Sequence, residues 1–152
     1  MQRKQMTAIT RSVAVALLLA TSALGADGSA AFVTRRDTMK EMGRALYLGV
    51  GRVAKGRTAF GPDTVAAAET LARLTATIGT LFPPGSDVAD SNMKPEILAA
   101  PDKVKQLAGA VQAFTPGFVS DVESGDKVRI GAAYATMAKA CEACHSEFRK
   151  EE

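Results

Sequence analysis

The stretch DKVRIGAAYATMAKACEACHSEFR, residues 126–149, is predicted to be an amphipathic helix that carries two cysteines and a histidine on its apolar face. Its apolar side chains recur every three or four residues, which is the spacing of one helix face. That face consists of Ile130, Tyr134, Met137, Cys141, His145 and Phe148. Because an apolar face is buried against other elements, Cys141 and His145 are expected to lie toward the interior. Cys144 shares their side of the helix, within a wedge of roughly 100°.

Residues 141–145 read Cys-Glu-Ala-Cys-His, and the chain has no other cysteine and no other histidine. Cys-x-x-Cys-His is the attachment motif of c-type haem, in which two thioether bonds hold the porphyrin and the histidine binds the iron. A disulfide across so short a loop would add little stability. A thioredoxin-like site needs a preceding strand, and a zinc site needs about four ligands. The motif therefore predicts one covalent haem c on Cys141 and Cys144, with His145 as an axial iron ligand.

The first 25 residues have the three parts of a secretory signal peptide. Three basic residues and no acid accompany an apolar run over residues 13–20, and the small residues 23–25 resemble a cleavage site. The apolar run is too short to span a membrane, so an uncleaved anchor is the less favoured alternative. The sequence predicts that residues 1–25 are removed on export and that residues 26–152 form a periplasmic domain without a stable membrane anchor.

The charge balance gives no support for a nucleic-acid partner. The chain has 19 Lys and Arg residues against 16 Asp and Glu, but three of the basic residues lie in the predicted signal peptide. The remaining chain is therefore close to neutral before the carboxylates of a haem are counted. Its length is sufficient for one compact domain and not for two.

Four amphipathic helical patterns follow the signal segment, and no stretch has the alternation of a strand. They cover residues 30–55, residues 63–82, the segment that opens at Pro101, and the segment after Gly125 that ends at Arg149. Residues 83–100 form the one long connection, and Pro116-Gly117 predicts a kink or a break in the third helix. Gly49 and Gly51 are predicted to allow close packing of the first helix. These patterns predict an all-α fold, an antiparallel four-helix bundle with one covalent haem c near the C-terminal helix.

Four segments of the chain resemble the class II c-type cytochromes. They are RRDTMKEMGR at residues 35–44, LFPPGS at 81–86, KPEIL at 94–98 and HSEFRK at 145–150. This is the cytochrome c′ family, and the first segment is most similar to its Met-ligated branch, cytochrome c-556. The resemblance extends over essentially the whole chain after the signal segment.

The resemblance implies that Met39 is the second axial ligand of the iron, with Met42 as the fallback. His/Met ligation raises the reduction potential and favours electron transfer. The leading hypothesis is therefore a low-spin periplasmic electron carrier that is not an enzyme and that acts with redox partner proteins. The alternative is a five-coordinate cytochrome c′ that binds nitric oxide or carbon monoxide on an open haem face, with Met39 as a gate.

The resemblance also assigns residues at the haem edge and an oligomeric state. It implies that Arg35 or Arg36, together with Arg149, borders the haem, because guanidinium groups are suited to binding the propionate carboxylates. It further implies a homodimer formed through helices one and two.

Overall fold

The computed structural model describes residues 20–151 and is helical throughout, apart from turns and connections. Its elements are α1 (Ala20–Gly43), a π-helical segment (Arg44–Val50), α2 (Gly51–Ala54), α3 (Pro62–Thr75), α4 (Pro101–Glu123) and α5 (Lys127–Phe148). Two short 3₁₀ helices, Ile78–Thr80 and Pro95–Ala99, lie between α3 and α4. The predicted signal peptide lies mostly outside the described residues, so it stays a prediction.

The predicted first helix is present, but it contains a π-helical turn. Helix α1 begins at Ala20 rather than at residue 30 and continues through the π-helical segment into α2, so residues 20–54 form the first helix of the bundle. Glycines let this part of the helix pack closely, as predicted. A Cβ at Gly49 would collide with the Cβ of Ala67, and a Cβ at Gly51 would lie 2.7 Å from the Tyr134 ring.

The second helix is shorter than predicted. Helix α3 begins at Pro62, whose fixed φ suits the first helical position, and it ends at Thr75 rather than near residue 82. Threonine hydroxyls at its end donate to backbone carbonyls, from Thr75 to Ala72 at 2.9 Å and from Thr77 to Leu74 at 2.8 Å. Such local bonds compete with a regular helix and favour its termination. The connection that follows is not wholly irregular, since it contains both 3₁₀ helices.

A kink or a break was expected at Pro116. The helix is not broken there: α4 runs without interruption from Pro101 to Glu123. Thr115 lies beside the proline and donates its hydroxyl to the Val111 carbonyl at 2.8 Å. Helix α4 also packs against both α3 and α5. Tertiary packing therefore outweighs the tendency of an internal proline to interrupt a helix.

The helices enclose one main hydrophobic core, and a smaller cluster lies at one end of α5. Leu46, Leu71, Phe118, Ile130 and Met137 are fully buried in the main core. The smaller cluster joins the α3–α4 connection to the end of α5 through Met93, Ile97, Val104 and Phe148. The expected four-helix bundle is confirmed.

No helix within residues 20–151 is both long and apolar enough to cross a membrane.

Candidate functional site

The last turns of α5 present the predicted attachment residues to a cavity of about 620 Å³. Helix α5 begins at a strong cap, where the Asp126 carboxylate accepts from the backbone N–H groups of Val128 and Arg129 at 2.8 and 2.9 Å. At its other end, Cys144 and His145 line the cavity, while half-buried Cys141 packs against the main core. Both cysteines are free thiols.

The environment of α5 favours the neutral forms of these side chains. Burial lowers the pKa of His145, and the nearby Arg149 guanidinium lowers it further. Burial also raises the pKa of both Cys141 and Cys144. A neutral imidazole is the form that binds a metal ion. His145 can therefore act as an iron ligand, and the two cysteines are unpaired thiols at its side.

Helix α1 forms the wall of the cavity that carries Met39. Met39 is partly buried and lines the cavity, whereas Met42 is 8% exposed and packs in the main core without reaching the cavity wall. Gly43, one turn after Met39, also lines the cavity, as does Tyr47 in the π-helical segment. Of the two methionines singled out in this helix, only Met39 is placed to face a bound haem.

Arg35 lines the same cavity, but its guanidinium holds the connection between α3 and α4. Nη1 donates to the Leu81 carbonyl at 3.1 Å and to Ser86 Oγ at 2.9 Å. Nη2 donates to the Ser86 carbonyl at 2.7 Å and to Ser91 Oγ at 3.2 Å. The guanidinium also lies 5.5 Å from the Phe82 ring centroid. Both terminal nitrogens are thus used within the protein, which leaves Arg35 poorly suited to a haem propionate.

Arg36 and Arg149 are better placed for the haem-edge role that was predicted for them. Both are exposed and line the cavity. The Nε of Arg36 donates to the exposed carboxylate of Asp37 at 2.9 Å, and no hydrogen bond to the α3–α4 connection like those of Arg35 is seen for Arg36. Exposed Lys40 is a further cationic side chain among the lining residues, in addition to the three arginines.

The connection is also fastened to the end of α5. The Lys94 N–H donates to the Phe148 carbonyl at 2.8 Å, and the Lys150 N–H donates to the Asn92 carbonyl at 2.8 Å. Met93 and Arg149 face each other in an isolated antiparallel bridge. This pairing brings Met93 into the cavity wall. The sequence did not indicate this placement, because Met93 lies in the long connection between α3 and α4.

Several lining residues were not predicted from the sequence. They are Phe32, Phe82, Met93, Ile97, Tyr47 and Phe148. Phe148 lies on the predicted apolar face of α5, and a helical wheel of α1 would have placed Phe32 near Arg35 and Met39. The others come from the connection or from the π-helical turn, whose positions depend on contacts distant in sequence.

The residues present fit a covalently held haem. The cavity volume lies within the range of about 300–1,000 Å³ of small-molecule and cofactor sites. Its walls are largely apolar, and a thiol and a neutral imidazole lie on one side. Positive side chains at the rim suit the carboxylates of a porphyrin. Among the described residues, no three His, Cys, Asp or Glu side chains come together as a site for a bare metal ion.

Comparison with known proteins identifies the family. The family model described as Cytochrome C′ matches residues 30–149, which is most of the chain. The chain belongs to the cytochrome c′ family. It accordingly carries one covalently attached haem c.

Curated cytochromes c′ and solved structures agree with this assignment. Cytochrome c′ of Rhodospirillum rubrum is 28% identical over 137 residues, which cover 90% of this chain and 93% of the relative. Cytochrome c′ of Alcaligenes xylosoxydans is 29% identical over 99 residues, 64% of this chain and 76% of the relative. Two structures of variants of the Alcaligenes xylosoxidans protein, a nitric oxide complex and a carbon monoxide complex, superpose with TM-scores of 0.73 at 25% identity, covering 82% of this chain and 97% of theirs.

The comparisons correct the expected function. The prediction of a low-spin electron carrier with His145 and Met39 as axial ligands was wrong, because the family and both curated relatives are cytochromes c′. The narrower resemblance to cytochrome c-556 is not confirmed. The electron-carrier prediction failed for a physical reason: a methionine in the cavity wall need not bond to iron. Methionine commonly fills space beside an apolar group without coordinating anything.

Proposed function

We propose that this cytochrome c′ is a periplasmic protein that binds nitric oxide or carbon monoxide at its haem and is not an enzyme. The observation that carries the proposal is the match to cytochromes c′ whose solved structures hold these two gases. The cavity supports it, because His145 is the only histidine among the residues that line it and the first helix contributes the thioether of Met39 rather than a second imidazole. When bound, haem supplies an iron atom with one coordination position open to a diatomic gas.

The residues of α5 anchor the haem in this proposal. The thiols of Cys141 and Cys144 would hold the porphyrin through two thioether bonds, each formed when an S–H group adds across a vinyl group to give one C–S and one C–H bond. His145 would bind the iron through a neutral ring nitrogen. Arg36 and Arg149 lie at the cavity rim, where their guanidinium groups neutralise propionate carboxylates.

Met39 acts as a gate on the other side of the cavity. Its side chain is partly buried and lines the wall that faces α5. A thioether side chain with three rotatable bonds can fill the cavity when no gas is bound and turn aside when one arrives. It thus excludes water and larger molecules from the iron without bonding to it.

Absorption spectra of the isolated haem protein test the proposal. We expect high-spin spectra in both the ferric and the ferrous states, because His145 is then the only strong ligand of the iron. We also expect the ferrous spectrum to change on addition of carbon monoxide. Low-spin spectra in both states, unchanged by carbon monoxide, would contradict the proposal.

We also propose a homodimer through the first two helices of the bundle, which is supported by exposed apolar side chains on the first. Leu48 is 61% exposed and Val33 is 42% exposed. A contact between two copies would remove such side chains from water. The predicted redox partner proteins have no support of this kind and stay a prediction.

Replacing Leu48 with glutamate is expected to shift the protein from dimer to monomer, because a buried unpaired charge is costly at an apolar interface. Sedimentation equilibrium measures the change. Val128→Glu is the matched control, since Val128 is 81% exposed and belongs to α5 rather than to the first two helices of the bundle. A Leu48→Glu protein that associates as the wild type does would place the interface elsewhere.

A further inference from the structure

Gly43 is the one glycine among the described residues that line the haem cavity. It lies one turn after Met39, so the two positions share a face of the helix. Its backbone is ordinary helix, with φ −61° and ψ −43°. Any L-residue adopts these angles, and glycine within a helix is less stable than alanine. The backbone conformation therefore gives no reason for a glycine here.

Packing gives no reason either. A Cβ at Gly49 or Gly51 would collide with a neighbouring side chain, so those glycines are needed for close contact between helices. An ideal Cβ at Gly43 has no neighbouring side chain or distant backbone atom within 4 Å. Gly43 lies on the cavity wall one turn from Met39, and it presents no side chain there.

The direction of helical side chains shows which group a side chain at position 43 would meet. Side chains on a helix lean toward its N-terminus and cover the turn before their own Cα. A side chain at position 43 would therefore lean back over the turn of Met39 and limit its rotation. With glycine at position 43, no side chain covers that turn of the cavity wall.

We propose that Gly43 provides the space into which the Met39 side chain turns when a diatomic gas binds the iron. This inference rests on the proposed function and adds a residue that sets gas access through Met39. Gly43 itself contacts neither the gas nor the iron. It is a positioning residue, and its effect depends on the presence of a long side chain at position 39.

The first test measures carbon monoxide association with the ferrous holoprotein by flash photolysis. Gly43→Leu is expected to slow association about tenfold, the effect of about 1.4 kcal/mol of overpacking in a filled site. Gly43→Ala should slow it less, and it should shift the C–O stretching frequency of the bound gas. Gly109→Ala is the matched control, because Gly109 is an exposed glycine within α4 that also has open space at its Cβ. Both alanine variants should gain thermal stability, but only Gly43→Ala should alter gas binding.

A double-mutant cycle tests the dependence on Met39. In a Met39→Ala background, Gly43→Leu should change the association rate less than about twofold, since no long side chain then needs the space. A tenfold loss that persists in this background would overturn the proposal, as would a Gly43→Leu protein with the wild-type rate. A wild-type protein that binds no carbon monoxide would overturn the proposed function and this inference together. Normal wild-type binding with an unaffected Gly43→Leu variant overturns the inference alone.

Discussion

Replacing both Cys141 and Cys144 with serine is expected to abolish covalent haem attachment completely. These are the only two cysteines of the chain. Cys144 lines the haem cavity, and the two cysteines form no disulfide with each other. A hydroxyl in place of a thiol is a much weaker nucleophile and does not form the thioether bond. Any haem that still enters the cavity is then held only by contacts and by His145.

Acid–acetone extraction of the denatured protein measures this difference. The wild type, produced with a working haem-attachment system, should keep its haem in the protein pellet, whereas the double variant should lose it to the solvent. Ala143→Ser is the matched control, because it adds a serine to the same turn of α5 and removes no thiol. Haem that stays with the denatured double variant would show that another group forms the attachment.

The helices and the attachment residues could be predicted from sequence because both depend on local patterns. The apolar spacing in residues 126–149 requires one buried face, and Cys-Glu-Ala-Cys-His is contiguous. The π-helical segment could not be predicted from a local pattern. Helix-spaced apolar positions such as Leu46, Val50 and Val53 are compatible with an ordinary α-helix as well as with the turn observed. Gly49 within the segment and Gly51 just after it pack closely against Ala67 and Tyr134, residues that are distant in the sequence.

The role of Arg35 and the coordination of the iron depend on information that no local pattern contains. The acceptors of Arg35 lie 46 to 56 residues away, so the sequence could suggest only a charge near the haem. Met93 reaches the cavity because its segment pairs with Arg149, far along the chain. Whether the Met39 sulfur bonds to iron depends on its position relative to the haem, which a sequence motif does not determine. A resemblance in RRDTMKEMGR was therefore insufficient to predict the function.

Replacing Arg35 with methionine is expected to lower the free energy of unfolding by about 2–4 kcal/mol. The side chain is 5% exposed and makes four hydrogen bonds to Leu81, Ser86 and Ser91. Burial lowers the pKa of Arg35, and the carboxylate of Asp87 opposes that change. Methionine keeps much of the apolar contact with Phe82 but leaves buried carbonyls without a donor.

Urea unfolding followed by circular dichroism measures the loss, and limited proteolysis reports whether the connection over residues 81–91 loosens. Arg36→Met is the matched control, because Arg36 is the adjacent arginine and its pair with Asp37 is exposed to solvent, where an ion pair contributes little to stability. The loss of unfolding free energy in Arg35→Lys should lie between those of Arg35→Met and Arg36→Met. A single ammonium group cannot reach the four acceptors that a planar guanidinium reaches. Equal stability of Arg35→Met and Arg36→Met would mean that the hydrogen bonds of Arg35 do not hold the cavity wall. A larger loss for Arg35→Met would mean that Arg35 stabilises the cavity wall through its four buried hydrogen bonds, which the exposed Arg36 does not make.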